Sequence, residues 1–205
     1  RCAKGNDDNL KRVLDFLDKE NLKEDTVVIY TSDQGYWLGQ HGFYDKRLIL
    51  ETSIRMPFII RYPRLIKAGT ASEDLCINID LAPTILELAG LNPPETMQGK
   101  SFLPILQGKK PKKWRNSQFY SYWGAPNHYG IRTSRFTFVK VFGDSPTTEL
   151  FDRKIDPNQK TNFAQNPAYA ENLLNLEKQL STLVKKVRIP PDRLPGAKSK
   201  KNLEE

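Results

Sequence analysis

The sequence contains few of the residues on which disulfide frameworks and zinc sites depend. Its 205 residues include two cysteines, Cys2 and Cys76, and two histidines. No C-x-x-C pair is present to indicate a zinc site. Two cysteines are too few for a disulfide framework, so they leave the redox compartment of the protein open. No run approaches the roughly 20 apolar residues that a transmembrane helix needs. A disulfide-rich scaffold and a helical membrane protein are therefore excluded.

The start of the sequence lacks an initiator Met and an apolar signal region. It reads Arg1-Cys2-Ala3, and a helical pattern begins almost at once. We expect either that a precursor was processed or that the sequence is a piece of a longer protein.

The composition is that of a folded protein with an uneven positive charge. Three Trp, eight Tyr and ten Phe argue for packing rather than disorder, and the net charge is +8. Residues 100–115 hold six basic residues and no acid, and 185–201 hold seven basic residues against one Asp. Such runs suit nucleic acid, an anionic membrane or an acidic polysaccharide, or are simply a solvated loop and a solvated tail. No nucleic-acid motif accompanies them, so nucleic acid is not an expected partner.

Hydrophobic periodicity predicts an α/β region followed by a small α+β region. The run at 26–31 is β-branched and bounded by polar residues, which is typical of a buried, parallel strand. The predicted helices are 8–20, capped by Asp7 or Asp8, 80–89 and 168–187; the predicted strands are 26–31, 57–62, 129–133, 136–142 and 149–151. The composition changes near residue 100, which divides the chain into 1–106, 107–188 and a basic, flexible tail at 189–205.

The segment 31–47 concentrates the residues that carry chemistry. Asp33 offers a carboxylate and Gln34 an amide oxygen at the end of a strand, and calcium prefers such oxygen ligands. His41 and Lys46 can donate to an anion or serve in proton transfer. Each residue also has an ordinary structural interpretation. Asp-Gln-Gly after a strand can simply form a turn, His41 can make a structural hydrogen bond, and Lys46 can be a solvated surface lysine. The block as a whole is more specific than any of its members.

This block resembles the C-terminal metal-and-sulfate motif of the type I sulfatases, which are calcium-dependent enzymes of the alkaline phosphatase superfamily. The family pattern is an apolar strand, then S-D-[NHQ]-G, L-G-x-H-G and a Lys. Here it stands as Ser32-Asp33-Gln34-Gly35, Leu38-Gly39-Gln40-His41-Gly42 and Asp45-Lys46-Arg47. Segments 55–63, 78–84, 97–101, 129–133 and 149–157 are also similar to the family. The similarity runs from about residue 3 to 187.

The resemblance implies a role for five residues. Asp33 and Gln34 would be two calcium ligands, with the remaining ligands upstream of this chain. Lys46 would contact the sulfate and stabilise charge on the leaving oxygen. His41 would belong to the neighbourhood of the active site, and His128 would contact substrate. The form D-Q-G-x-x-L-G-x-H-G-x-x-D-K-R is most similar to glycan sulfatases, including N-acetylglucosamine-6-sulfatases.

One essential part of the family pattern is missing. The nucleophile of the type I sulfatases is a Cys or Ser in C/S-x-P-x-R, which is converted to formylglycine, and neither Cys2 nor Cys76 stands in this motif. The first pair of calcium-binding Asp residues is absent as well. We therefore expect the chain to be the C-terminal part of a sulfatase, inactive alone. The implied fold is part of an alkaline-phosphatase-like mixed sheet flanked by helices, with a small C-terminal antiparallel sheet and a packed helix.

Three functions fit these observations. The first is hydrolysis of sulfate esters on a sulfated glycan by the full-length parent. The second is hydrolysis of phosphonates or phosphodiesters within the same superfamily. The third is an inactive domain that binds acidic glycans through the basic runs. The resemblance also implies an exported, periplasmic or lysosomal-type enzyme.

Overall fold

A computed structural model describes residues 2–190 and 193–195, and it forms two compact units. The first unit combines the chain before Asp33 with 57–113, and the second combines 33–56 with the chain from Trp114 onward. The boundaries at 106 and 188 that the sequence predicts group the residues differently, and they stay a prediction. Most of the predicted flexible tail at 189–205 lies outside the described residues.

The described chain is a mixture of helices and antiparallel strands. The α-helices are α1 (Cys2–Lys19), α2 (Glu51–Ile54), α3 (Leu81–Leu88), α4 (Leu103–Leu106) and α5 (Ala170–Val187). The strands are β1 (Val28–Thr31), β2 (Trp37–Leu38), β3 (Tyr44–Asp45), β4 (Phe58–Arg61), β5 (Ser117–Tyr122), β6 (Asn127–Thr133), β7 (Phe136–Phe142) and β8 (Thr147–Asp152). No helix among these residues is both long and apolar enough to span a membrane.

In the first unit, β1 pairs with β4 in a two-stranded sheet. The pairing is antiparallel, from Val28 opposite Arg61 to Thr31 opposite Phe58, and every residue of β1 is only partly buried. The prediction of a buried, parallel strand is therefore wrong for this chain. A β-branched run identifies a strand, but it does not identify the partner or its direction.

The first helix is also longer than its apolar stripe predicts. It begins at Cys2 rather than at residue 8, so neither Asp7 nor Asp8 caps it. Leu17 is its one buried residue among those described, and Val13 is 51% exposed.

Buried hydrogen bonds join α3 to the segment that follows it. The Asp80 carboxylate accepts from the backbone N–H groups of Ile77 (2.9 Å) and Lys100 (2.8 Å). The Thr84 hydroxyl donates to the Asp80 carbonyl (2.7 Å) and accepts from the N–H of Phe102 (3.0 Å). A Cβ on Gly99 would lie 1.9 Å from the carbonyl oxygen of Ile79, so this close approach of two backbones requires glycine.

The second unit contains a four-stranded antiparallel sheet in the order β5-β6-β7-β8. The predicted hairpin is confirmed as β6 and β7, and the predicted terminal helix is confirmed as α5. Leu176 and Leu180 of α5 pack on Ile131, Phe138 and Leu150 of the sheet, and all five are buried. This close-packed core makes the sheet a rigid support for the loops attached to it.

Candidate active site

The segment from Asp33 to Met56 forms a short hairpin and a single helical turn, and Trp37 anchors it. The Trp37 ring is 1% exposed and packs with Leu50 and Phe151. Its indole N–H donates to the hydroxyl of Ser53 over 2.6 Å. The Gly35 N–H donates to the Ser53 carbonyl (2.7 Å). A Cβ atom on Gly35 would lie 2.0 Å from the Thr52 carbonyl oxygen, so this position accommodates only glycine.

The structure brings together two of the predicted site residues, Lys46 and Asp33. The ammonium of Lys46 lies 3.6 Å from Asp33 Oδ2, and the side chains of Lys46 and Asp33 are 38% and 76% exposed. Gln34 follows Asp33 directly, and its backbone N–H donates to Asp33 Oδ1 (2.9 Å). A carboxylate and an ammonium therefore meet at an accessible surface, where the carboxylate can hold a cation and the ammonium an anion.

The backbone on both sides of Lys46 is held in an unusual conformation. Asp45 has φ 89° and Arg47 has φ 105°, in the region that favours glycine. The Arg47 guanidinium pairs with the Asp45 carboxylate (2.6 Å), and the Arg47 carbonyl accepts from the hydroxyl of Tyr120 (2.6 Å). Positive φ values in residues other than glycine persist where the surroundings impose them, and they concentrate at functional sites. The contacts therefore fix the backbone that carries Lys46.

His128 lies inside the sheet, where it supports this segment. It is 1% exposed, stacks on Tyr120 with ring centroids 5.7 Å apart, and donates from Nδ1 to the Pro126 carbonyl (2.6 Å). Burial lowers its pKa, although the carbonyls of Pro126 and Arg47 oppose that effect. Contact between His128 and a substrate stays a prediction.

His41 is exposed and lies in the turn between β2 and β3. Its backbone has φ 55°, its Nε2 donates to the carbonyl of Asn158 (2.7 Å), and its ring meets the edge of Trp37 at 5.1 Å. These contacts connect His41 to the loop after β8, and its catalytic role stays a prediction.

An ionic cluster surrounds Glu51, and no local sequence pattern predicts it. Both Glu51 oxygens accept from Arg132 (2.8 and 3.1 Å), and Oε1 also accepts from Arg153 (3.1 Å). Burial raises the pKa of Glu51, but the Arg132 hydrogen bond and the charges of Arg132, Arg153 and Arg55 outweigh burial and leave the pKa below its usual value. Arg132 and Arg153 lie 81 and 102 residues from Glu51 along the chain. Only the fold therefore reveals that these side chains form a cluster.

The donor set at Asp33 and Gln34 fits part of a calcium site. A carboxylate and an adjacent amide offer two hard oxygen ligands, whereas calcium takes about six to eight. Within 2–190 and 193–195, no group of three or more His, Cys, Asp or Glu residues is placed to hold a metal ion. Any complete site needs ligands in addition to these two.

Comparison with known proteins supports the resemblance seen in the motifs. A family model described as "N-sulphoglucosamine sulphohydrolase, C-terminal" matches residues 39–186. An N-acetylglucosamine-6-O-sulfatase of Bacteroides thetaiotaomicron is 40% identical over 190 residues, which cover 89% of this chain and 33% of that protein. The chain therefore spans about a third of the length of this relative.

Solved structures agree with the sequence comparison. One, described as a complex with its substrate D-glucosamine-2-N,6-O-disulfate, is 38% identical with a TM-score of 0.88, covering 94% of this chain and 40% of that chain. A phosphonate monoester hydrolase of Agrobacterium radiobacter is 28% identical with a TM-score of 0.79, covering 88% and 39% of the two chains. The predicted mixed α/β fold with a C-terminal sheet and helix is thereby confirmed.

Proposed function

Because the chain belongs to the N-sulphoglucosamine sulphohydrolase C-terminal family of sulfatases, we propose that its parent enzyme hydrolyses sulfate esters. The Lys46 ammonium beside the Asp33 carboxylate, with Gln34 next in the sequence, carries this proposal. The named activity of the 40%-identical relative supports N-acetylglucosamine-6-sulfate or a similar glycan sulfate as substrate. Export to a periplasmic, secreted or lysosomal compartment belongs to the same proposal.

Lys46 is the residue to which we assign contact with the sulfate. Its ammonium is accessible, and the Tyr120 and Asp45 contacts of Arg47 fix the adjacent backbone. A fixed cation stabilises the charge that develops on the leaving oxygen as the S–O bond breaks. The leaving alcohol needs a proton, and His41 is the proposed donor nearby in the sequence.

Asp33 and Gln34 are the residues to which we assign part of the calcium site. Calcium, when bound, supplies positive charge against the sulfate oxygens. The Asp33 carboxylate and the Gln34 amide oxygen would contribute two ligands, and the Lys46 ammonium lies 3.6 Å from Asp33 Oδ2. The formylglycine nucleophile and the remaining ligands would come from other parts of the parent, so the 205-residue chain alone should show no turnover.

Phosphonate monoester hydrolysis is the second candidate, because the Agrobacterium radiobacter enzyme shares the fold. Rates of the full-length parent on an aryl sulfate and on the matching aryl phosphonate would separate the two functions. We expect kcat/KM on the sulfate to exceed that on the phosphonate at least tenfold. A reversed preference would replace the sulfatase proposal with the second candidate.

A further inference from the structure

A basic cleft lies in the second unit beside the hairpin that carries Lys46. It consists of a cavity of about 460 Å³ and an adjoining one of about 580 Å³, which share Glu51, Arg55 and Pro157 as lining residues. Arg135, Arg153 and Lys154 line the first cavity, and Gln159 and Lys160 line the second. His41 also lines the second cavity, whereas Asp33, Gln34 and Lys46 line neither cavity.

The charges that line the cleft are mostly positive and incompletely compensated. Arg135 is paired with Asp152 through two hydrogen bonds of 2.9 and 2.6 Å. Glu51 is shared between Arg132 and Arg153. Lys154 and Lys160 are exposed, and among the residues that the structure describes no acid pairs with either of them. Two lysines and one shared arginine therefore leave excess positive charge at the cleft.

Two buried hydrogen-bond donors at the cleft also lack an acceptor in the described part of the chain. They are Nε of Arg153 and Nε2 of Gln159. Gln159 is 3% exposed, and its amide oxygen already accepts from the N–H of Glu51 (2.7 Å), which fixes the amide and leaves its NH₂ group unused. A buried donor without an acceptor is energetically unfavourable, so an oxygen acceptor that reaches this part of the cleft is favoured.

We propose that this cleft binds an oxyanion group, a sulfate or a carboxylate, on a sugar next to the one that is hydrolysed. The Nε–H of Arg153 and the NH₂ group of Gln159 can donate to an oxyanion, and the two lysines add charge without fixed geometry. The preference for an oxyanion rests on the cleft itself. Its assignment to a neighbouring glycan unit rests on the proposed function. The cleft then selects longer acidic glycans over a single sulfated sugar.

The test is calorimetric binding of sugars to the 205-residue chain at low salt. The probes are a heparin-derived hexasaccharide, the same hexasaccharide after complete desulfation, and neutral chitohexaose. We expect the heparin hexasaccharide to bind and chitohexaose not to bind. Retained binding after desulfation assigns the site to carboxylate, and lost binding assigns it to sulfate. No binding of the heparin hexasaccharide, or equal binding of chitohexaose, would overturn the proposal.

Variants distinguish binding at the cleft from nonspecific electrostatic binding and from binding at the proposed catalytic surface. Lys154→Ala with Lys160→Ala should weaken binding at least tenfold. The matched control, Lys112→Ala with Lys113→Ala, removes the same charge from an exposed loop of the first unit and should change it less than twofold. Equal weakening by the two pairs contradicts the cleft. Turnover of the full-length Lys46→Ala parent tests the proposed catalysis, whereas binding by Lys154→Ala with Lys160→Ala tests the cleft, so failure of the proposed function and failure of the cleft proposal are distinguishable.

Discussion

At the scale of single residues, Lys46 is positioned by neighbouring residues to which we assign no contact with substrate. Asp45 and Arg47 hold left-handed backbone conformations on either side of it. The Tyr120 hydroxyl fixes the Arg47 carbonyl. Burial raises the pKa of Tyr120 to about 12, so this hydroxyl keeps its proton and donates throughout the ordinary pH range. The backbone next to Lys46, the proposed catalytic cation, is therefore held by a tyrosine that lies 73 residues from Arg47 along the chain.

Tyr120→Phe should lower the free energy of unfolding by about 1 kcal/mol, the usual value of one intramolecular hydrogen bond. The Arg47 carbonyl would lose its donor while the aromatic packing stays. Urea denaturation of the chain measures the change. Tyr122→Phe is the matched control, since it removes a hydroxyl from the same strand and should have a smaller effect. An equal loss in both variants would show that the Arg47 contact contributes nothing specific.

His128 should make stability depend on pH in the mildly acidic range. Burial lowers its pKa in the folded chain, so the unfolded chain binds a proton more readily. Stability is therefore fully present above the ordinary histidine pKa of about 6.5 and falls as the pH drops below it. The groups that face His128 are the phenols of Tyr120 and Tyr122 and the backbone carbonyls of Pro126 and Arg47.

The measurement is thermal unfolding between pH 7.5 and 5. His128→Gln should flatten the decline in Tm with falling pH, because the substituted side chain does not titrate. His41→Gln, at the other histidine, is the control and should keep the decline, because it leaves His128 in place. A decline that persists unchanged in His128→Gln would contradict the assignment.

At the scale of elements, α2 and the four-stranded sheet are joined by the Glu51 cluster. Glu51 begins α2, Arg132 lies on β6, and Arg153 follows β8. Arg153 also donates to the Thr133 carbonyl on β6. The side chains of Glu51, Arg132 and Arg153 are only 19%, 19% and 10% exposed, so these charges depend on one another rather than on water.

Glu51→Gln should lower the free energy of unfolding by about 3 kcal/mol, because two mostly buried guanidinium groups would lose their shared counter-ion. The control is Asp15→Asn, which removes the acid from the exposed Lys11–Asp15 pair on α1 and should cost less than about 0.5 kcal/mol. Urea denaturation compares the two variants. A loss below about 1 kcal/mol in Glu51→Gln would mean that the cluster does not hold α2 to the sheet.

Local sequence predicted some elements well and others poorly, for physical reasons. The β6–β7 hairpin and α5 carry strong periodic apolar patterns, which the shared core of Ile131, Phe138 and Leu176 explains. The strand β5, Ser117–Tyr122, was missed, since its polar and aromatic residues contain no β-branched run. The direction of β1 depends on β4, more than 25 residues later, and no local signal encodes it.

The candidate site was predictable only in part. The motif 31–47 predicted Asp33, Gln34 and Lys46, and the structure places Lys46 beside Asp33. The supports of that site could not be predicted, because Tyr120, Glu51 and Gln159 act through partners that are distant in sequence. Buried His128 is positioned to support the backbone near Lys46 through Tyr120, whereas the family resemblance suggested contact with substrate.

At the scale of the whole molecule, the chain is about a third of the length of its N-acetylglucosamine-6-O-sulfatase relative. It provides the surface of Asp33, Gln34 and Lys46, and it provides a sheet and helix that support that surface. It contains no C/S-x-P-x-R nucleophile motif. Activity is therefore a property that we assign to the full-length parent, and any test of the chemistry must use that protein.

Turnover of the full-length parent on N-acetylglucosamine-6-sulfate shows whether Lys46 acts on the sulfate ester, as we propose. Lys46→Ala should lower kcat/KM at least a hundredfold, which corresponds to the loss of about 2.7 kcal/mol of transition-state stabilisation. Lys11→Ala, on exposed α1, should leave turnover unchanged. A folded Lys46→Ala enzyme with a near-normal rate would contradict the assignment of Lys46 and with it the account of this site.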